Sequence, residues 1–267
     1  MRRQTFRSPG GARTLAPMNT APALTPDAAS TLPGRNNAST SRARDPLRGT
    51  LLLATALLSL VPVVVLGSSI GWPASLAAPA AQQLAAVQAH AGAVQAGYGA
   101  YLLYSLLIMP AMLALASRML GDLARPLAAM VVAFAALSTL ARAIGIARWV
   151  TVMPALAAAH ASADPSSRAV IGTVFDALTR YGAGIGELLG VSLFMALSLG
   201  TLCIGALVQR GAPVLLALSG IAVALLLVGM AAPAFGVPFG VNVAVGASAT
   251  NLWLLVAGVW AWRGGRG

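Results

Sequence analysis

Lysine is missing from this chain altogether. All seventeen basic residues among its 267 positions are arginine, and acidic residues number six. Charged residues make up 9% of the sequence, against about 25% in an ordinary soluble domain. Too little charge is present to cover a water-solvated globule of this length. Cysteine occurs once, as Cys203 inside an apolar run. A single thiol excludes an internal disulfide, and a thiol in such surroundings is expected to be inert packing. Histidine occurs twice, at His90 and His160. They are too far apart, with too few other ligands nearby, to suggest a metal cluster. No paired carboxylates stand at catalytic spacing, and no nucleophile has a base beside it, so neither enzymatic chemistry nor a cofactor is expected.

What the chain has instead is apolar length. Hydrophobic residues make up 58% of it. The excess of alanine and arginine fits a bacterium with GC-rich codons. The net charge of +11 does not indicate nucleic-acid binding, because most of it sits in one tail and in short loops beside apolar runs.

Residues 1–48 hold eight arginines among Pro, Ser, Thr, Ala and Gly. They lack apolar periodicity and are expected to form a disordered basic cytoplasmic tail, with Met18 as an alternative start. The remaining residues, 49–267, are expected to form one transmembrane domain. Asp45-Pro46 is a helix start, an acceptor for free amides followed by a residue preset for the first turn. The uncharged run 51–70 can span a ~30 Å hydrocarbon core. It is too long, and lies too deep in the sequence, for a signal peptide. Further spans are expected at 94–117, from 126 to about 149–154, and at 182–208, 212–232 and 241–262. Pro110 is a candidate kink in the second. Two short surface helices are expected between spans, within 73–93 and over 166–181. The second opens on Asp164-Pro165 and carries Asp176 and Arg180 at ion-pair spacing.

Six spans with both ends in the cytoplasm place thirteen of the seventeen arginines inside. That is the positive-inside bias. The four others, Arg142, Arg148, Arg168 and Arg180, fall in or near the outer side. Trp72 and Trp149 mark the outer boundary, and Trp260 and Trp262 the inner one, as aromatic belts do. The expected location is a bacterial inner membrane, with the lipid bilayer as the first partner.

The third span carries two arginines in its outer half, Arg142 and Arg148. A guanidinium in hydrocarbon costs at least a few kcal/mol and rarely stays there without a partner or a role. Counted from Pro126 at 1.5 Å per residue, Arg142 lies ~24 Å from the inner edge. Counted from Gly182, Glu187 lies ~8 Å below the outer edge. The two reach nearly the same level with opposite charge, and an Arg142–Glu187 pair is expected, more as a structural clamp than as chemistry. Separate snorkelling of each charge is the alternative. Gly182, Gly186 and Gly190 recur every four residues and read as a helix-packing face. Tyr98, Tyr101 and Tyr104 lie in the outer half of the second span. They are either interfacial anchors or the lining of an outward cavity shared with Arg142, Arg148, Trp149, Glu187 and Arg180. Asn251 falls near the midplane, where it is expected to bond a neighbouring helix.

Taken together, Arg142, Gly145, Arg148-Trp149 and 154–157, then 174–178, Tyr181-Gly182, Gly186-Glu187 and Gly190, resemble an uncharacterised bacterial family of multi-pass inner-membrane proteins known as a domain of unknown function. The resemblance covers roughly 46–262. It implies a membrane protein and carries no activity, substrate or catalytic residue.

The fold expected is therefore all-α, a bundle of six transmembrane helices with two short periplasmic surface helices. The function expected is binding or passing a small molecule or lipid at an outward-facing polar site. The alternative is a structural or regulatory partner of another membrane protein, or of a second copy, through the glycine face.

Overall fold

A computed structural model describes residues 46–121, 124–241 and 243–264. The basic tail expected over 1–48 falls almost wholly outside these residues. Its last positions, Pro46 to Arg48, already belong to the first helix, so the helical domain begins at the proline that presets the turn.

Six helices are long and apolar enough to cross a membrane. The first span is made of α1 (Pro46–Leu58) and α2 (Leu60–Ile70), joined at Ser59, whose hydroxyl turns back to the Ala56 carbonyl at 2.6 Å. It ends at Gly71, in the left-handed conformation (φ 69°) that favours glycine. A 3-10 turn at Ala74–Ala77 and the short helix α3 (Ala80–Ala89) follow. Gln83 fastens α3 to this turn by donating to the Ala78 carbonyl at 2.7 Å. The second span, α4 (Ala91–Met119), continues through Pro110 as one helix.

The third and fourth spans are longer than hydropathy suggested. Helix α5 (Arg125–Ser162) continues through Pro154 for another two turns. At 38 residues it is ~57 Å long, against ~30 Å of hydrocarbon. Helix α6 (Pro165–Ala183) does not stop at Gly182. It passes without a break into a π-helical segment, Gly184–Phe194, and then into α7 (Met195–Val208). The surface helix expected over 166–181 is thus continuous with the fourth span, in a helix of 44 residues. The glycines that suggested a boundary face α5 and let the helices approach; they do not break the helix. Asp164 caps α6 as its sequence position implied, accepting from the Ser166 and Ser167 amides at 2.9 and 3.1 Å. Helix α8 (Val214–Ala231), a 3-10 turn at Ala232–Phe235, and α9 (Val243–Trp262) complete the bundle.

The described chain begins and ends at the same end of the bundle, since Gly49 of α1 lies against Trp262 of α9. One core, including Leu52, Ile108, Met112, Leu115, Leu199 and Leu254, fills the middle and this end. A second core fills the other end. There α3 and α6 pack against α5, and Leu84, Val87, Met153, Ala157 and Phe175 close the interior. Leucines, valines and isoleucines such as Leu103, Leu140, Ile144, Leu218, Leu225 and Leu252 point outward. In water such a surface would aggregate; against acyl chains it is the favourable one.

Candidate functional site

Between the two cores, α5 runs antiparallel to the π-helical segment at very close range. The contact is centred on Gly145 and Gly186. A Cβ added at Gly145 would stand 2.7 Å from the Gly186 Cα and 3.0 Å from the Gly182 carbonyl. Three residues along α5 in each direction stands an arginine, and each arginine meets another glycine of the fourth span. The Arg148 guanidinium fills the place a Cβ would take at Gly182. The Cγ and backbone nitrogen of Arg142 stand 2.9 Å from where a Cβ of Gly190 would lie. The glycine face found in the sequence is therefore used within the chain, as the bed for the two arginines.

Arg148 reaches over Gly182 to the backbone, where its Nη1 donates to the carbonyls of Thr179 at 2.7 Å and Leu178 at 3.2 Å. Its guanidinium carbon also lies 5.7 Å from the Trp149 ring centre. Arg142 is 2% exposed and does not snorkel. Its Nε donates to the Ser138 hydroxyl at 3.3 Å, and that hydroxyl donates to the Gly190 carbonyl at 2.7 Å. Ser138 precedes Arg142 by four residues on one helix face, a relation that sequence spacing offered but that was not singled out.

Glu187 lines the same pocket as Arg142 and Arg148, and it interacts electrostatically with Arg148. With Gly186 level with Gly145 in this antiparallel contact, Glu187 lies about two residues from Arg142 along the helix axis, ~3 Å, and about four from Arg148, ~6 Å. Arg142 interacts with Tyr101 and Tyr104. Tyr104 also donates to Asn251 Oδ1 at 2.6 Å, so Asn251 ties α9 to α4.

These side chains enclose a pocket. Arg142, Arg148, Trp149, Glu187, Tyr98 and Tyr101 line it, together with Gly182 and Gly186. Gly190 lies just beyond, under Arg142, and Arg180 is exposed on α6, outside the pocket. Trp72, Leu76, Gly145, Ile146 and Val191 complete the lining. Of these, Trp72 had a sequence signal as an outer-boundary tryptophan and Gly145 as part of the motif around the arginines. The aromatic wall is stacked: the Tyr98 and Trp149 ring centres are 4.8 Å apart and their planes 5° apart. Trp149 in turn meets the edge of Phe175 at 6.1 Å, and Trp72 meets Tyr101 at 6.3 Å. Inside this wall Arg142 Nη1, Arg148 Nε and Tyr98 Oη are buried without a hydrogen-bond acceptor among the described residues. Glu187 also borders a second, wider groove lined by Ala183, Gly184, Leu188, Ser192, Met230 and Ala234. Among the described residues no three His, Cys, Asp or Glu side chains are grouped to hold a metal ion. Cys203 is buried and lies against Gly220.

Long apolar helices facing outward, with arginine and glutamate turned inward, define a multi-pass α-helical membrane protein. Within that class the chain belongs to a family described as a domain of unknown function, DUF4386, whose pattern matches residues 47–258. Among curated proteins and among solved structures nothing matches.

Proposed function

We propose that this membrane protein binds or passes a small molecule or a lipid headgroup through the pocket between α4, α5 and the π-helical segment, without catalysing a reaction. One observation carries this reading. Buried guanidinium and phenol donors line a cavity and lack acceptors from the chain itself. A buried donor left unmet costs about 1–3 kcal/mol, and charged groups inside a membrane protein by default mark a site of use. The π-helical backbone at Gly184–Phe194 adds support, because such segments are rare and occur often at functional sites. The alternative role as a structural partner through the glycine face has less surface to draw on, since Gly182, Gly186 and Gly190 are covered by α5.

The arginine distribution gives the orientation we propose. The tail, Arg118, Arg125, Arg210, Arg263 and Arg266 face the cytoplasm of a bacterial inner membrane, and the pocket opens on the opposite side. A Leu76→Cys variant tests both statements. Cys203 is fully buried, so the native chain is the unreactive control. A membrane-impermeant maleimide is expected to label Leu76→Cys in right-side-out vesicles and not in inside-out ones. Labelling from the cytoplasmic face alone would reverse the orientation, and no labelling from either face would remove the pocket as a binding site.

A further inference from the structure

The geometry points to a single acidic group, a carboxylate or a phosphate, as the part of the ligand held between Arg142 and Arg148; this rests on the reading that the pocket binds a ligand. Each of the three buried groups without an acceptor, Arg142 Nη1, Arg148 Nε and Tyr98 Oη, can donate a hydrogen bond. Two are positively charged, and Arg142 is 2% exposed and lines the pocket. Charge-assisted bonds from guanidinium to an oxyanion are about twice as strong as neutral ones, and most so where water is scarce. Size agrees with charge. The space open to the centre of a water molecule is ≈ 50 Å³, and about 10–15 Å³ of such space holds one water. A few waters fit, or one group of carboxylate or phosphate size, while the rest of the ligand stays outside. Glu187 sets the upper limit of charge. It lines the same pocket as both arginines. One negative group meets two guanidinium groups at the cost of one carboxylate, but a second would meet Glu187 unopposed. Polyanions are therefore rejected.

The test uses the full chain in phosphatidylcholine nanodiscs, with unfolding temperature read by tryptophan fluorescence at constant ionic strength. Acetate and inorganic phosphate are titrated, with tetramethylammonium as the cation control. A parallel sample carries phosphatidylglycerol in the disc. A saturable rise in unfolding temperature with the free anions assigns a soluble acid, and a rise with phosphatidylglycerol alone assigns a lipid headgroup. Arg148→Gln is expected to weaken the effect about tenfold. Tyr98→Phe, which keeps the ring stack and folds whatever becomes of the arginine variant, is expected to weaken it about threefold. A saturable rise with tetramethylammonium and none with the anions overturns the inference, as does an anion effect that both variants leave unchanged. If Leu76→Cys is labelled but no anion acts, the acidic ligand is wrong and the pocket reading stands. If Leu76→Cys is unreactive from both faces, the pocket reading itself has failed.

Discussion

Arg148 occupies the space that the missing side chain of Gly182 leaves open, and from there it donates to the carbonyls of Leu178 and Thr179 one turn earlier. The glycine and the arginine form one device. The first gives up its Cβ so that the second can hold α5 against the fourth span.

Gly182→Ala is therefore expected to expel the guanidinium and destabilise the protein by about 1–3 kcal/mol, the usual cost of overpacking. In an Arg148→Ala background the same change should cost much less. A double-mutant cycle on thermal unfolding in detergent should give a coupling of ~0.5–3 kcal/mol. Additive costs would mean that the two residues do not share the space.

Gly145→Ala meets backbone, not a movable side chain. It is expected to cost about 1–3 kcal/mol and to separate α5 from the π-helical segment. Gly99, on α4, has nothing within 4 Å of an added Cβ. There Ala should be neutral or stabilise by up to ~1 kcal/mol, as glycine is unfavourable inside a helix. Unfolding temperatures of the two variants, measured side by side, separate close approach from helix propensity.

Tyr104→Phe removes the bond to Asn251 and leaves the ring in place. Interhelical hydrogen bonds in membranes average ~0.6 kcal/mol, so a loss of roughly 0.5–1.5 kcal/mol is expected. A loss above this range in thermal unfolding would show that Tyr104 also holds Arg142 in place.

The Asp164 carboxylate accepts from the Ser166 and Ser167 hydroxyls and amides, which hold its pKa well below the usual carboxylate range. A folded-state value below the unfolded one gives stability that is present above the unfolded value, ~3.9, and fades as the pH falls below it. Asp164 is exposed, so the effect is small. Asp164→Asn keeps a capping side chain without the charge. The wild type should lose slightly more unfolding temperature than this variant between pH 7 and about pH 3, and equal losses would contradict the assignment.

Much of the bundle was legible in the sequence, because a membrane imposes length and polarity together. Pro46 as the first helical residue, Gly71 as the end of the first span and Asp164 as a cap all follow from local chemistry. The continuity of α5 through Pro154, and of the fourth span through Gly182, did not. Hydropathy marks where a helix leaves the hydrocarbon, and a helix that runs on into water looks like a new element. Counting in from Gly182 set Glu187 near the level of Arg142, and the Gly145–Gly186 contact leaves the two about two residues apart along the helix axis, ~3 Å. The residue types gathered in the pocket were readable from their cost in a membrane. The π-helical register that presents Glu187, and the parts played by Trp72 and Leu76, arise from packing that no local spacing encodes.

The most direct measurement is a structure of the full chain in lipid nanodiscs, at a resolution that shows bound water. The expected map has ordered density, from water or an acidic group, within hydrogen-bonding distance of Arg142 Nη1 and Tyr98 Oη. Continuous side-chain packing there, with Arg142 bound directly to Glu187 and no space between them, would contradict it.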